Sequence, residues 1–103
     1  MKKRAILLIG KYAKEECNLS VYEQNFFVNK IDELRDLKKI KKNDLEKIEA
    51  IAFKGHSAID SEIMKKFPSL RIISNFGVGY DTININDAKK LNILVSFTPD
   101  ILS

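Results

Sequence analysis

The chain has 103 residues, 45% of them hydrophobic and 31% charged, which is typical of one soluble globular domain and excludes a disordered chain. Its formal net charge is +4, but the lysine-rich segments carry no interleaved aromatic residues, so they fit a solvated surface and do not indicate nucleic-acid recognition. A single cysteine, Cys17, excludes an internal disulfide and fits the cytoplasm, and no apolar run is long enough for a secretory signal or a membrane span.

Strand and helix patterns alternate along the first part of the chain. Arg4–Ile9 contains a continuous apolar run, which predicts a strand buried on both faces. Ser20 and Glu23 form a capping-box pattern and predict the start of a short helix. Phe26–Ile31 is rich in aromatic and branched residues and favours a strand. The segment Asp32–Lys42 stays open between a helix and a lysine-rich loop, although its apolar residues recur at helical spacing.

The middle of the chain predicts helix, strand and helix again. Asn43 begins a second capping-box-like segment, which favours a short helix as far as Ile48, and Ala50–Phe53 is the next strand. Asp60 is a candidate N-cap, and Pro68 ends the helix that follows it. The apolar face of this helix is formed by Ile63, Met64 and Phe67.

The last third repeats the alternation. Arg71–Phe76 predicts a strand, and Asn84 is a candidate cap for a helix that runs to about Leu91. Asn92 suits the left-handed position after a helix, and Ile93–Phe97 predicts the final strand. Strands and helices at this spacing predict an α/β fold with a parallel sheet of about five strands and right-handed crossovers.

All four glycines follow the carboxyl ends of predicted strands, at Gly10, Gly55, Gly77 and Gly79. Ligands bind at that edge in open α/β sheets, and glycine lets backbone amides approach a ligand closely. The Gly77–Gly79 segment therefore favours a cradle for a small anion such as a carboxylate. Turn geometry alone is the alternative, and it is the simpler explanation for Gly10. The dinucleotide fingerprint G-x-G-x-x-G is absent, because Thr82 occupies the third glycine position.

Several catalytic arrangements are not supported by the residues present. His56 is the only histidine, so it either lines a ligand cleft or lies on plain surface, and with Cys17 it gives no metal-ligand spacing. Ser57 and Ser74 have no second histidine to activate them. Reduction of a carbonyl needs a proton donor and a cationic group, and no residue clearly supplies that pair. We therefore predict no catalytic, cofactor-binding or metal-binding residue in this chain.

The segment Arg71-Ile72-Ile73-Ser74-Asn75-Phe76-Gly77-Val78-Gly79-Tyr80-Asp81 resembles the D-isomer-specific 2-hydroxyacid dehydrogenases, and the glyoxylate/hydroxypyruvate reductase branch most of all. The resemblance continues upstream through Ile59–Leu70, where a helix and its Pro-Ser-Leu exit match, and downstream through Asn84–Ser103. It is good over residues 50–103 and one of pattern only over residues 1–49. Phe97 departs from it, because the family usually has Asn before Thr-Pro.

The resemblance implies a flavodoxin-like substrate domain that is joined to a Rossmann domain for NAD or NADP. It implies that the backbone amides of Val78 and Gly79, with Gly77, bind the substrate carboxylate. It also implies that the loop Lys54-Gly55-His56 lines the same cleft and that Asp81 serves the turn. In the family the catalytic Arg, Glu and His, the cofactor fingerprint and a returning helix all lie beyond the position of Ser103.

Two functional hypotheses follow. In the first, residues 1–103 are the N-terminal part of the substrate domain of an NAD(P)-dependent enzyme that reduces small 2-oxo acids such as glyoxylate or hydroxypyruvate. This chain would then be inactive alone, bind no cofactor and self-associate through exposed apolar surface, whereas full-length relatives are usually homodimers. In the second, the chain is a non-enzymatic α/β module that binds a small carboxylate or a protein partner.

Overall fold

The structure, a computed structural model, describes residues 4–10, 24, 26–54, 58–76 and 83–98. The helix predicted at Ser20 lies outside these residues. The strands are β1 (Arg4–Ile9), β2 (Phe26–Ile31), β3 (Ile48–Phe53), β4 (Ile72–Phe76) and β5 (Leu94–Thr98). The α-helices are α1 (Lys42–Lys47), α2 (Ser61–Met64) and α3 (Ile85–Lys90), and a 3₁₀ helix covers Leu34–Lys39.

The strands form one five-stranded sheet in the order β2-β1-β3-β4-β5, and every neighbouring pair is parallel. This is the flavodoxin-like order, so the predicted fold class is confirmed. The chain leaves β1 towards β2 on one side and returns to β3 on the other. The topological switch point, where such sheets bind ligands, therefore lies between the ends of β1 and β3.

The main core lies on one face of this sheet. Leu7, Ile51 and Ile73 are in register across β1, β3 and β4, and each is at most 1% exposed. They belong to one buried cluster with apolar residues from every helical segment or its flanks, including Leu37, Met64, Phe67 and Ala88. Each of the larger side chains, such as Leu37, Met64 and Phe67, contributes about 1.5–3 kcal/mol through burial. In the described part of the chain, no helix has the length and apolar character that crossing a bilayer requires.

The predicted helix caps are confirmed. The Asp60 carboxylate accepts from the Ile63 amide at 3.2 Å, and the Asn84 side chain accepts from the Asp87 amide at 3.1 Å. Asn92 has a φ of 59°, the left-handed conformation that was predicted for it.

Two short helices lie between β2 and β3, one in the segment that was left open and one close to its predicted position. A 3₁₀ helix occupies Leu34–Lys39, because Glu33 and Asp36 form a reciprocal capping box there. The following helix begins at Lys42, with Lys41 as its N-cap and no side-chain cap, so the capping-box reading of Asn43 was wrong. That helix ends at Lys47, where Ile48 turns extended and begins β3 two residues before the predicted start.

The opposite face of the sheet exposes apolar surface at β5. The Leu94 side chain is 70% exposed, and it lies beside the half-buried Ile72 of β4. We expect Leu94→Lys to reduce binding of a hydrophobic dye and self-association without lowering the melting temperature, because it removes an exposed apolar group. Ser96→Lys adds the same charge on the same strand and face, so it is the matched control. An equal effect of both variants would attribute the change to charge and contradict this prediction.

Candidate functional site

The carboxyl ends of the parallel strands meet at one edge of the sheet, where the ligand site was predicted. Gly10 follows β1 and Lys54 follows β3 at this edge, and the Lys54 side chain is half-buried. The other predicted site residues, which are Gly55, His56, Gly77, Val78 and Gly79, lie outside the described residues. Their predicted roles stay predictions, but the residues that flank them fix where each segment starts and ends.

The backbone of Gly10 lies close to the carbonyl group of Lys54 at this edge. Its φ is +121°, and a Cβ built on it would lie 2.1 Å from the carbonyl oxygen of Lys54. The Gly10 amide donates to the Ile31 oxygen at 2.9 Å, and the Lys54 amide donates to the Ile9 oxygen at 2.8 Å. Gly10 therefore joins the ends of three neighbouring strands, and its simpler explanation, backbone geometry, is confirmed.

The same contact bears on the cofactor that the family resemblance implies. A dinucleotide site at the end of a first strand needs free backbone amides that point at the pyrophosphate. Here the space beside Gly10 is filled by the Lys54 carbonyl oxygen, which would repel a phosphate. Among the described residues at the end of β1, Gly10 therefore offers no free amide to a dinucleotide, because that amide already donates to the Ile31 oxygen.

Asn75 was missed by the sequence analysis. It lies in β4 two residues before Gly77, in register with Phe53 of β3, and it is 2% exposed. Among the described residues it is the buried polar one, in a strand whose other residues are three apolar side chains and Ser74. Its presence in the strand run Ile-Ile-Ser-Asn-Phe was the available signal, because a polar side chain there must find hydrogen-bond partners once buried.

The residues before and after two segments at this edge are paired with each other. Residues 54–58 follow β3 and residues 77–82 follow β4, and these strands are still paired at Phe53 and Asn75. Beyond the loops, Ile59 and Ile83 form a parallel bridge, and the Asn84 amide donates to the Ile59 oxygen at 2.9 Å. The described residues that precede and follow the two segments are therefore neighbours in the structure.

A side-chain hydrogen bond connects α2 with α3. The Asp87 carboxylate of α3 accepts from the amide of Ser61, the first residue of α2, at 2.9 Å in a partly buried position. The two residues are 26 positions apart, so no local pattern could have predicted this hydrogen bond.

A cavity of about 730 Å³ opens at the opposite, amino edge of the sheet. Phe27, Asn29 and Ser69 contribute to its lining, together with charged residues of both signs. The Asn29 amide nitrogen is buried there and has no hydrogen-bond partner. Ligands of such sheets bind at the carboxyl edge, so we do not assign the substrate to this cavity. No three residues of the types that ligate metals cluster in the described ranges.

Known proteins resemble this chain in sequence and in fold. The family model for the catalytic domain of D-isomer specific 2-hydroxyacid dehydrogenases matches residues 6–103. A glyoxylate reductase of Pyrococcus horikoshii is 40% identical over 67 residues, which are 65% of this chain and 19% of that protein.

Two solved structures are similar over nearly the whole chain. A 2-hydroxyacid dehydrogenase of Ketogulonicigenium vulgare has a TM-score of 0.80 and 30% identity, over 99% of this chain and 31% of its own. An NADPH-dependent glyoxylate/hydroxypyruvate reductase of Sinorhizobium meliloti, solved with NADP and malonate, has a TM-score of 0.75 and 31% identity, over 98% of this chain and 30% of its own. The chain thus spans less than a third of the length of each of these proteins.

Proposed function

Because the chain belongs to the D-isomer-specific 2-hydroxyacid dehydrogenase family, we propose that its carboxyl edge binds the carboxylate of a small 2-oxo or 2-hydroxy acid. The backbone amides of Val78 and Gly79, with Gly77, are the proposed donors. Lys54, Gly55 and His56 line the other side of the same cleft. The whole protein would be an NAD(P)-dependent cytoplasmic reductase of acids such as glyoxylate or hydroxypyruvate, to which this chain contributes the N-terminal part of the substrate domain.

The observation that carries the proposal is the backbone pairing of the described residues on both sides of residues 54–58 and 77–82. The Gly77–Gly79 segment and the Lys54–His56 segment lie between the Phe53–Asn75 strand pair and the Ile59–Ile83 bridge. Amides in a glycine turn can surround a carboxylate on one side, and the half-buried lysine can supply positive charge from the other. We propose that these groups together hold the carboxylate of the acid.

Reduction of the acid needs one set of groups to hold the substrate and another to supply the hydride and the proton. A nicotinamide cofactor supplies the hydride when bound, and the residues of this chain hold and orient the acid through its carboxylate. Because the chain has no G-x-G-x-x-G segment and no clear pair of proton donor and cation, we propose that other residues of the whole protein bind the cofactor and transfer the proton. The chain by itself therefore binds the acid without reducing it.

Replacing the amide donor at Val78 tests the site directly. We expect Val78→Pro to weaken oxalate binding about 10- to 100-fold, because it removes one hydrogen bond to a charged group. Oxalate is an unreactive analogue of glyoxylate, and its dissociation constant can be measured by titration calorimetry or from amide chemical shifts. Val78→Ala keeps the amide and is the matched control, for which we expect wild-type affinity.

Two outcomes would contradict the proposal. One is the absence of saturable oxalate binding to the folded wild-type chain, with sulfate as the comparison anion for non-specific attraction to its net positive charge. The other is equal affinity of the Val78→Pro and Val78→Ala variants. Thermal unfolding of each variant shows whether a loss of binding reflects loss of the fold.

A further inference from the structure

We propose that the cavity at the amino edge of the sheet binds a small molecule that carries a protonated amine, an oxygen acceptor and an apolar body. The cavity measures about 730 Å³, which is within the size range of small-molecule sites. It does not depend on the proposed carboxylate site, because that site lies at the other edge of the sheet. Three groups of its lining define the ligand chemistry, and they belong to Phe27, Asn29 and Asp44.

The cavity is open because the connection from β2 to β3 covers the outer strand only in part. Phe27 and Asn29 of β2 are paired with Ala5 and Leu7 of β1, so their side chains lie on the face of the sheet that carries the main core. The connection contributes two helices of only six residues each, and the first of them packs Leu37 into the core. The Phe27 side chain stays 58% exposed, so it offers an apolar surface to a ligand.

Asn29 supplies a hydrogen-bond donor that has no acceptor. Its amide nitrogen Nδ2 is buried, and it makes no hydrogen bond. A buried donor that stays unpaired destabilises the folded state, and buried amides of native proteins nearly always have a partner. A carbonyl oxygen of a ligand in the cavity would be such a partner.

Asp44 supplies a negative charge. It lies in the first turn of α1, and its half-buried carboxylate makes no ion pair or hydrogen bond with another residue that the structure describes. Three acidic and two basic residues line the cavity, which gives the lining a net charge of −1, although the whole chain carries +4. Of these, Arg4 and Glu49 form an ion pair at 3.8 Å, and Lys47 is exposed. A protonated amine is therefore the group that complements Asp44.

The probe for this site is phenylalaninamide at about pH 6, where its amine is protonated. We expect saturable shifts of the Phe27, Asn29 and Asp44 amides, with a dissociation constant of about 1 mM, as is typical of a small ligand with few directed contacts. Two shortened ligands separate the contributions. We expect 3-phenylpropanamide, which lacks the amine, to bind about tenfold more weakly, and phenethylamine, which lacks the carbonyl, about fivefold more weakly.

Two variants assign each ligand group to one side chain. Asp44→Asn should bind phenylalaninamide about tenfold more weakly but bind 3-phenylpropanamide as the wild type does. Asn29→Leu should lose the preference for phenylalaninamide over phenethylamine, and its melting temperature should not fall, because it removes an unpaired buried donor. Glu62→Gln makes the same charge change on an exposed residue outside the cavity lining, so it is the matched control with wild-type affinity.

Four results would overturn the proposal. The first is no saturation by phenylalaninamide below about 10 mM, and the second is a set of shifts that lies away from the cavity. The third is an Asn29→Leu variant that keeps the preference for the carbonyl, because solvent then satisfies the Asn29 amide. The fourth is an equal loss of affinity in Glu62→Gln and Asp44→Asn, because the attraction is then not local to the cavity.

Discussion

Gly10→Ala is expected to lower the free energy of unfolding by about 3 kcal/mol or more, which is a large share of the roughly 5–15 kcal/mol that stabilises a small domain. Two effects add at this position. A φ of +121° is strained for any residue with a Cβ, and that Cβ would lie 2.1 Å from the Lys54 carbonyl oxygen. Relief requires the ends of β1 and β3 to separate, which breaks the 2.8 Å hydrogen bond from the Lys54 amide to the Ile9 oxygen.

Urea unfolding measures this loss as a shift of the midpoint by about 2 M, given a slope of roughly 1–2 kcal/mol/M for a chain of this size. Asn92→Ala is the control, because Asn92 has a φ of 59° but is exposed. We expect Asn92→Ala to lower the free energy of unfolding by about 1 kcal/mol, which is the cost of the left-handed conformation without a steric clash. If Gly10→Ala costs no more than Asn92→Ala, the close approach of the two strand ends does not exist as described.

Local patterns were sufficient to predict most of the elements. β1 and β2 have the predicted bounds, because glycine, charged or polar residues flank both segments. The caps at Asp60 and Asn84 were also predictable, because each side chain bonds to an amide three residues further on. The parallel sheet followed from the alternation of strands and helices.

Contacts between distant residues were not predictable. The hydrogen bond from Ser61 to Asp87 depends on how two short helices pack, and nothing near either residue indicates it. The start of α1 at Lys42 has the same origin, since its N-cap Lys41 makes no side-chain bond and its Leu45 packs against the core. The glycine pattern predicted a ligand site at the carboxyl edge, but it did not predict the contact of Gly10 with Lys54, which depends on the strand order.

The 103-residue chain is expected to consume NADPH in the presence of glyoxylate no faster than a protein-free blank. Enzymes of this kind accelerate their reactions by at least about a million-fold, so this is the largest effect that we predict. Hydride transfer needs a bound nicotinamide, a proton donor and a cation beside the carbonyl. The chain has no G-x-G-x-x-G segment, its single histidine is His56, and the Lys54 carbonyl fills the space at the first strand end.

The measurement follows NADPH absorbance, with the Sinorhizobium meliloti reductase as the positive control and a parallel oxalate titration to show that the chain is folded. Binding without turnover is the result expected of a part of a larger enzyme that only holds the substrate. In that case the groups that hold the acid lie in this chain, and the groups that react with it do not. Glyoxylate reduction that rises with the concentration of the chain and is lost in Val78→Pro would refute this separation. It would then require a proton donor among these residues, and His56, beside Gly55 in the proposed cleft, would be the first to replace.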